Sequence, residues 1–229
     1  MGFHMVTEKQ ARTFLKDHRP SSIGVLAVLT AGMLAAPVII VALSPGGFAN
    51  WLTWIERLTG LYAFTLIFMN IVTGALAPYF YAIFKAKGET LIHTITGGLG
   101  FLLALTHGLL IITQRTYRTY SAVWVIGPVA LVLLVFTIWV AFDRTRLKTI
   151  WRGIHIINYA IFVGVFIKAV MIGTDFTLTT ADSYAVMILF SVYVVIAAIA
   201  LLMRLKRYQV DAARKKTVAA KAAAPDAAE

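Results

Sequence analysis

There is no cysteine among the 229 residues, which excludes disulfides, iron–sulfur clusters and thiolate-bound metals and leaves histidine or oxygen as metal ligands. Charge is scarce as well. Asp, Glu, Lys and Arg make up 14% of the chain against 60% hydrophobic residues, a balance too apolar for a surface that must face water on all sides. Acidic residues are the scarcer sign, and the net charge is +11. That excess does not read as nucleic-acid binding, because no basic stripe with interleaved aromatics occurs and the Lys and Arg residues fall between apolar runs. No glycine-rich nucleotide fingerprint follows a strand pattern, so no flavin or nucleotide domain is expected in this chain. A short apolar core with a cleavage site is also missing near the start, so no removed signal peptide is expected.

What the chain has in quantity is long apolar runs. A bilayer core of about 30 Å needs roughly 20 helical residues, and runs of that order fall near 23–43, 58–84, 91–113, 122–142, 150–172 and 184–203. The breaks carry turn formers or charge, as in Ser44-Pro45-Gly46-Gly47 and the segment from Lys85 to Thr90. Pro37, Pro78 and Pro128 fall inside or at the ends of spans, where each can kink its helix if neighbours satisfy the freed carbonyl. The expected fold is therefore all-α, a six-helix transmembrane bundle in a lipid bilayer.

Basic residues set the orientation. Seventeen lie on the side of the termini and three, Arg57, Arg115 and Arg118, on the other, with Lys168 inside a span. Both termini are therefore expected in the cytoplasm, and the third and fifth spans run outward in parallel. The expected organisation is a cytoplasmic arm over 1–21, a membrane domain over 22–205, and a basic Ala/Lys-rich cytoplasmic tail over 206–229, either a frayed surface helix or disordered.

Only five histidines occur, and three lie within spans. His93 and His107 share the third span, 14 residues apart, which on an ideal helix is about 21 Å of rise and within about 40° of one face. Gly97, Gly100 and Ala104 lie between them on that stripe, where small side chains admit either a flat macrocycle or another helix. His155 on the fifth span lies near the depth of His93, so the two can ligate one iron. Near the depth of His107 the fifth span offers Lys168 rather than histidine. Thirteen ideal-helix residues turn Lys168 about 220° away from His155, so the two share a groove only if the helix is irregular, and Gly164 offers a place to bend. Ionisable groups inside a bilayer are costly and mark function by default, although a membrane histidine also serves simply to stitch helices together.

These segments resemble the ferric-reductase-like transmembrane domain of ferric reductases, NADPH oxidases and the haem-binding membrane subunit of methionine sulfoxide reductase. The resemblance covers roughly residues 22–205. It rests on Arg57-Leu-Thr-Gly-Leu-Tyr-Ala, on His93-Thr-Ile-Thr-Gly-Gly-Leu-Gly-Phe-Leu-Leu-Ala-Leu-Thr-His107, and on Trp151-Arg-Gly-Ile-His155-Ile-Ile-Asn-Tyr159. It implies one or two haems of b type stacked across the membrane, with His93 and His155 holding the inner iron and His107 an outer one. Lys168 stands where a fourth histidine is usual. The outer haem is then absent, five-coordinate on His107, or capped by the lysine amine, while the plainer role for Lys168 is snorkelling to the headgroups. Arg57, Arg115 and Arg118 at the outer boundary and Arg152 at the inner one are candidate propionate partners or ordinary interfacial anchors. Tyr159, Phe162 and Phe166 either line the haem or pack.

The function implied is that of a membrane b-type cytochrome subunit passing single electrons, as part of an oxidoreductase. It would work with a separate partner (a reductase, a quinol or an outer-face protein), in a prokaryotic inner membrane and with room for a larger membrane complex. The alternative is a haem-free scaffold or assembly subunit of the same fold.

Overall fold

The structure, a computed structural model, describes residues 7–44, 50–114, 122–147, 150–173 and 180–223. The order is α1 (Glu8–Asp17), α2 (Arg19–Leu43), α3 (Trp51–Ala75), α4 (Ala77–Gln114), a 3-10 turn (Ala122–Val125), α5 (Ile126–Phe142), α6 (Arg144–Leu147), α7 (Ile150–His155), α8 (Ile157–Ile172) and α9 (Ala181–Ala223). No strand occurs among the described residues. Six segments are long and apolar enough to cross a membrane: Arg19–Leu43, Trp51–Ala75, Ala77–Thr113, Val123–Phe142, Gly153–Ile172 and Ala181–Val218. The protein is thus an all-α bundle of six such helices.

Their boundaries depart from the apolar runs in ways local chemistry explains. The run expected over 58–84 is divided at Leu76, and residues 77–84 belong to α4. Pro78 lies in the first turn of α4, where its missing N–H costs nothing, whereas a continuous helix would lose a bond there. The break expected after residue 84 is instead a kink at Lys85, whose φ of 61° and ψ of 169° lie outside the helical region. At its other end α3 starts at Trp51, because the Asn50 side chain accepts from the amides of Leu52 and Thr53 and caps it. Pro128 likewise falls in the first turn of its helix, and Pro37 alone of the three interrupts one. One residue from the Met33 carbonyl that Pro37 leaves without its usual donor, the Tyr62 hydroxyl donates to the Leu34 carbonyl at 2.8 Å.

Both terminal regions are helical over nearly all of their described residues. Thr7 and Gln10 form a capping box that starts α1, which packs against α4. The tail expected to fray past Leu205 continues α9 without a break to Ala223, in keeping with the high helix propensity of Ala, Lys and Arg.

The centre of the bundle is α3, which packs along α4 and also meets α2, α8 and α9. Half of its membrane-length window is buried, far more than in any other span. Phe64 stacks between Phe162 of α8 and Phe190 of α9, each at 4.2 Å between ring centres, and Phe68 stacks on Tyr193 at 4.2 Å. These flat rings give α3, α8 and α9 a shared aromatic core with ring contacts beyond simple area burial. Phe162 and Tyr159, both on the His155 face, are buried in this core.

Candidate functional site

Two imidazoles meet at one end of the bundle. His93 comes from α4 and His155 ends α7, and their ring centres lie 5.9 Å apart with planes inclined by 56°. Two imidazoles bound through a nitrogen to opposite sides of one ion stand roughly 6 Å apart between centres, given metal–nitrogen distances of about 2.0–2.1 Å. Between His155 and Lys168 the helix is interrupted at Ile156, between α7 and α8, whereas α8 runs through Gly164, the position offered for a bend that would bring Lys168 into the groove of His155. Ile156 donates to the Gly153 carbonyl at 3.2 Å and Tyr159 to the Ile156 carbonyl at 3.0 Å, so the turn is tightened rather than opened.

Both rings are held from behind. Asn70 Nδ2 of α3 donates to the His93 carbonyl at 2.5 Å and lies 3.2 Å from His93 Nδ1. The Thr73 hydroxyl is 3.3 Å from the same nitrogen while sharing its own proton with the Met69 and Asn70 carbonyls. Asn70 Nδ2 donates to Nδ1 in one tautomer, while in the other Nδ1–H donates to Thr73 and the Nε2 lone pair is left for a ligand. The His93 ring rests on Gly74, where a Cβ would come within 2.9 Å of its Cε1. His155 has Asn158 3.5 Å from its Nδ1 and the edge of Trp151 against its ring. Asn158 is in turn fixed by the Thr137 hydroxyl of α5 at 2.7 Å. Such backing orients a metal-binding imidazole and is half of what makes one.

His107 is oriented by a simpler rule. Its Nδ1 is 2.8 Å from the Glu56 carbonyl, which can only accept, so Nδ1 carries the proton and Nε2 the lone pair. Gly60 makes room for it, since a Cβ there would lie 2.8 Å from the ring. Lys168 is directed toward α5: its Nζ is 5.8 Å from the centre of the Trp124 ring, and a Cβ on Gly127 would come within 2.9 Å of it.

The glycines on the histidine stripe are occupied by protein. A Cβ on Gly97 would lie 2.7 Å from Asn70 Nδ2, and one on Gly100 would lie 3.2 Å from the backbone nitrogen of Ile67. Of the two roles open to them in the sequence, they serve the approach of α3. Gly97→Ala is accordingly expected to push Asn70 off the His93 carbonyl and lower stability by about 1–2 kcal/mol. Gly98→Ala, with nothing within 4 Å, should be silent. Thermal unfolding of the two variants in one detergent checks this.

Arg57 donates to Ser44 Oγ and to Asp182 Oδ2, the latter at 3.3 Å, and so ties the start of α3 to the end of α2 and the start of α9. Arg115 and Arg118 lie outside the described residues, as does the side chain of Arg152. A basic residue counted in the sequence only toward the charge of the cytoplasmic side stands near these rings. Arg204 of α9 is within electrostatic reach of both His93 and His155. Its signal in the sequence was only its position at the end of the last apolar run.

Among the described residues no group of three or more His, Cys, Asp or Glu side chains is placed to hold a metal ion. Two imidazoles alone underfill the four to six positions of a bare transition-metal ion, but His93 and His155 would suffice to hold an iron whose remaining ligands a macrocycle supplies. The donor set at His93 and His155 thus fits haem better than a free cation. No family model, curated protein or solved structure matches the chain.

Proposed function

We propose that this protein is a b-type cytochrome subunit of the ferric-reductase-like kind, moving single electrons through haem held by His93 and His155. The observation that carries the proposal is the meeting of these two imidazoles at 5.9 Å on α4 and α7, 62 positions apart in sequence, each with a polar partner behind it. When bound, the haem supplies a one-electron ferric–ferrous couple. The chain's own residues would do the rest. The two histidines hold the iron, Thr73, Asn70 and Asn158 keep the rings aimed, and the stacked core of Phe64, Phe162 and Phe190 keeps water from the adjoining bundle interior. The reading places both termini in the cytoplasm of a prokaryotic inner membrane, with a separate electron donor and acceptor.

The test is a pyridine haemochrome assay with reduced-minus-oxidised spectra on protein made with ample haem. About one b-type haem per chain is the expected minimum for a single bis-histidine site. About two would add a site on His107, whose Nδ1 faces the Glu56 carbonyl. None would end the proposal and favour the haem-free scaffold, a reading that the helix-packing role of Gly97 and Gly100 also suits. Lys168→Ala is expected to leave the haem content and low-spin spectrum of the inner site unchanged, because its amine is turned toward Trp124. A changed low-spin spectrum in that variant would assign the lysine to iron instead.

A further inference from the structure

We infer that Arg204, with Arg207 and Tyr159, forms a carboxylate-binding clasp that receives the propionates of the haem at the His93 and His155 site. The inference rests on the cytochrome reading and adds to it the residues that grip the rim of the cofactor.

The clasp follows from one face of α9. Arg204, Arg207 and Tyr208 are spaced i, i+3 and i+4, so they project together. Arg204 Nε donates to the Tyr208 hydroxyl at 3.0 Å, and its guanidinium carbon lies 5.6 Å from the centre of the Tyr208 ring. That contact uses the Nε–H and fixes the plane of the guanidinium, leaving the paired Nη donors to meet a fork of two oxygens. Arg207 reaches the Ala75 carbonyl at the end of α3 through Nη2. Ala75 follows Gly74, the residue on which the His93 ring rests, which puts the Arg207 guanidinium at the level of the histidine pair, and Arg204 is an electrostatic neighbour of both rings.

What these groups lack is an acceptor. The Tyr159 hydroxyl is one helical turn beyond His155, on a residue 6% exposed, and it faces Arg204 without making a hydrogen bond of ordinary geometry. Arg207 Nε is also buried without a partner. The ion pairs of the described residues place no carboxylate on either arginine. The Tyr159 hydroxyl, Arg207 Nε and the Arg204 guanidinium thus lie near one another where no ion pair of the described residues supplies a carboxylate. A buried donor left unmatched is costly, and the group that would match all three is a carboxylate. Its position beside the histidine pair, on a helix that contributes no ligand, is where a propionate edge would emerge from a ring held between α4 and α7.

Haem and haem dimethyl ester separate this role from general packing, because they differ only at the carboxylates. Each is titrated into haem-depleted full-length protein in the same detergent, with the low-spin spectrum and its loss in His93→Ala as the measure of correct binding. The wild type is expected to take free-acid haem at least about tenfold more tightly than the ester, the worth of one charge-assisted carboxylate contact. Arg204→Gln should lose most of that preference while still binding the ester as the wild type does, and Arg204→Lys should keep part of it. The haem midpoint potential of Arg204→Gln should also fall, since a nearby cation disfavours the ferric form. Equal preference in wild type and Arg204→Gln, with histidine-dependent binding intact, would overturn the clasp and leave the cytochrome reading standing. Loss of bound phosphatidylglycerol in Arg204→Gln with the haem preference unchanged would assign the clasp to a lipid phosphate and also overturn it. Failure of the wild type to bind either compound in a histidine-dependent way would sink both.

Discussion

His93→Ala and His155→Ala are each expected to abolish most of the bound haem, leaving a protein that folds and inserts but shows little b-type absorbance. In the proposed site each imidazole would be one of two protein ligands, and removing either from rings 5.9 Å apart would leave the haem held by one. The supporting residues should act by degree. Thr73→Val removes the acceptor behind His93 Nδ1 and keeps the ligand, so it should weaken haem retention by about tenfold. Haem per chain measured on all three variants beside the wild type decides the matter. Normal content in both histidine variants would remove the basis of the proposed function, whereas normal content in Thr73→Val alone would restrict the backing role to Asn70.

The second large effect is expected at the far end of α3. Arg57 and Asp182 are held 3.3 Å apart with side chains 15% and 6% exposed, joining positions 125 residues distant in sequence. Asp182→Ala takes the carboxylate from a largely buried guanidinium, and the loss is expected to cost about 3–5 kcal/mol. Replacing both partners by apolar residues, Arg57→Met with Asp182→Leu, should recover much of that, since the desolvation of both charges disappears together. Thermal unfolding in detergent of the single and double variants measures the difference. If the double variant is as unstable as Asp182→Ala, the Arg57 bond to Ser44, which only the double variant loses, contributes as much as relief of the unpaired charge restores. The same ion pair bears on Arg57 as an outer propionate partner, because the structure already gives the guanidinium a carboxylate.

Much of this architecture is legible in the sequence because a bilayer imposes one coarse requirement, an apolar run of sufficient length, on each helix. The spacing of His93 and His107 and the depth of His155 are legible for a related reason: rise and rotation per residue are fixed once a helix is granted. What escapes are features decided by partners distant in the chain. Pro78 can end a helix or start one, and only the start of α4 after Leu76 shows which. Gly97 and Gly100 open a groove in either reading, and α3 fills it. Lys168 is placed by Trp124 and Gly127 on elements that its own helix does not specify. Arg204 reads as an ordinary charge at the cytoplasmic end of the last apolar run, and only α9 brings it within electrostatic reach of His93 and His155.

The crowding of polar groups on α3 has a consequence for how the chain enters the membrane. This helix carries Arg57, Asn70, Thr59, Thr65 and Thr73 and a buried Glu56, and it is the least apolar of the six spans. A lone segment of that kind is retained poorly by lipid, because each polar side chain prefers water until another helix shields it. The groups that shield it come later in synthesis: α4 brings the carbonyl that Asn70 serves, and α9 brings Asp182. The hub of the finished bundle should therefore be its last helix to become committed to the bilayer, and truncations that stop before α9 should show α3 only partly inserted in a glycosylation-mapping assay.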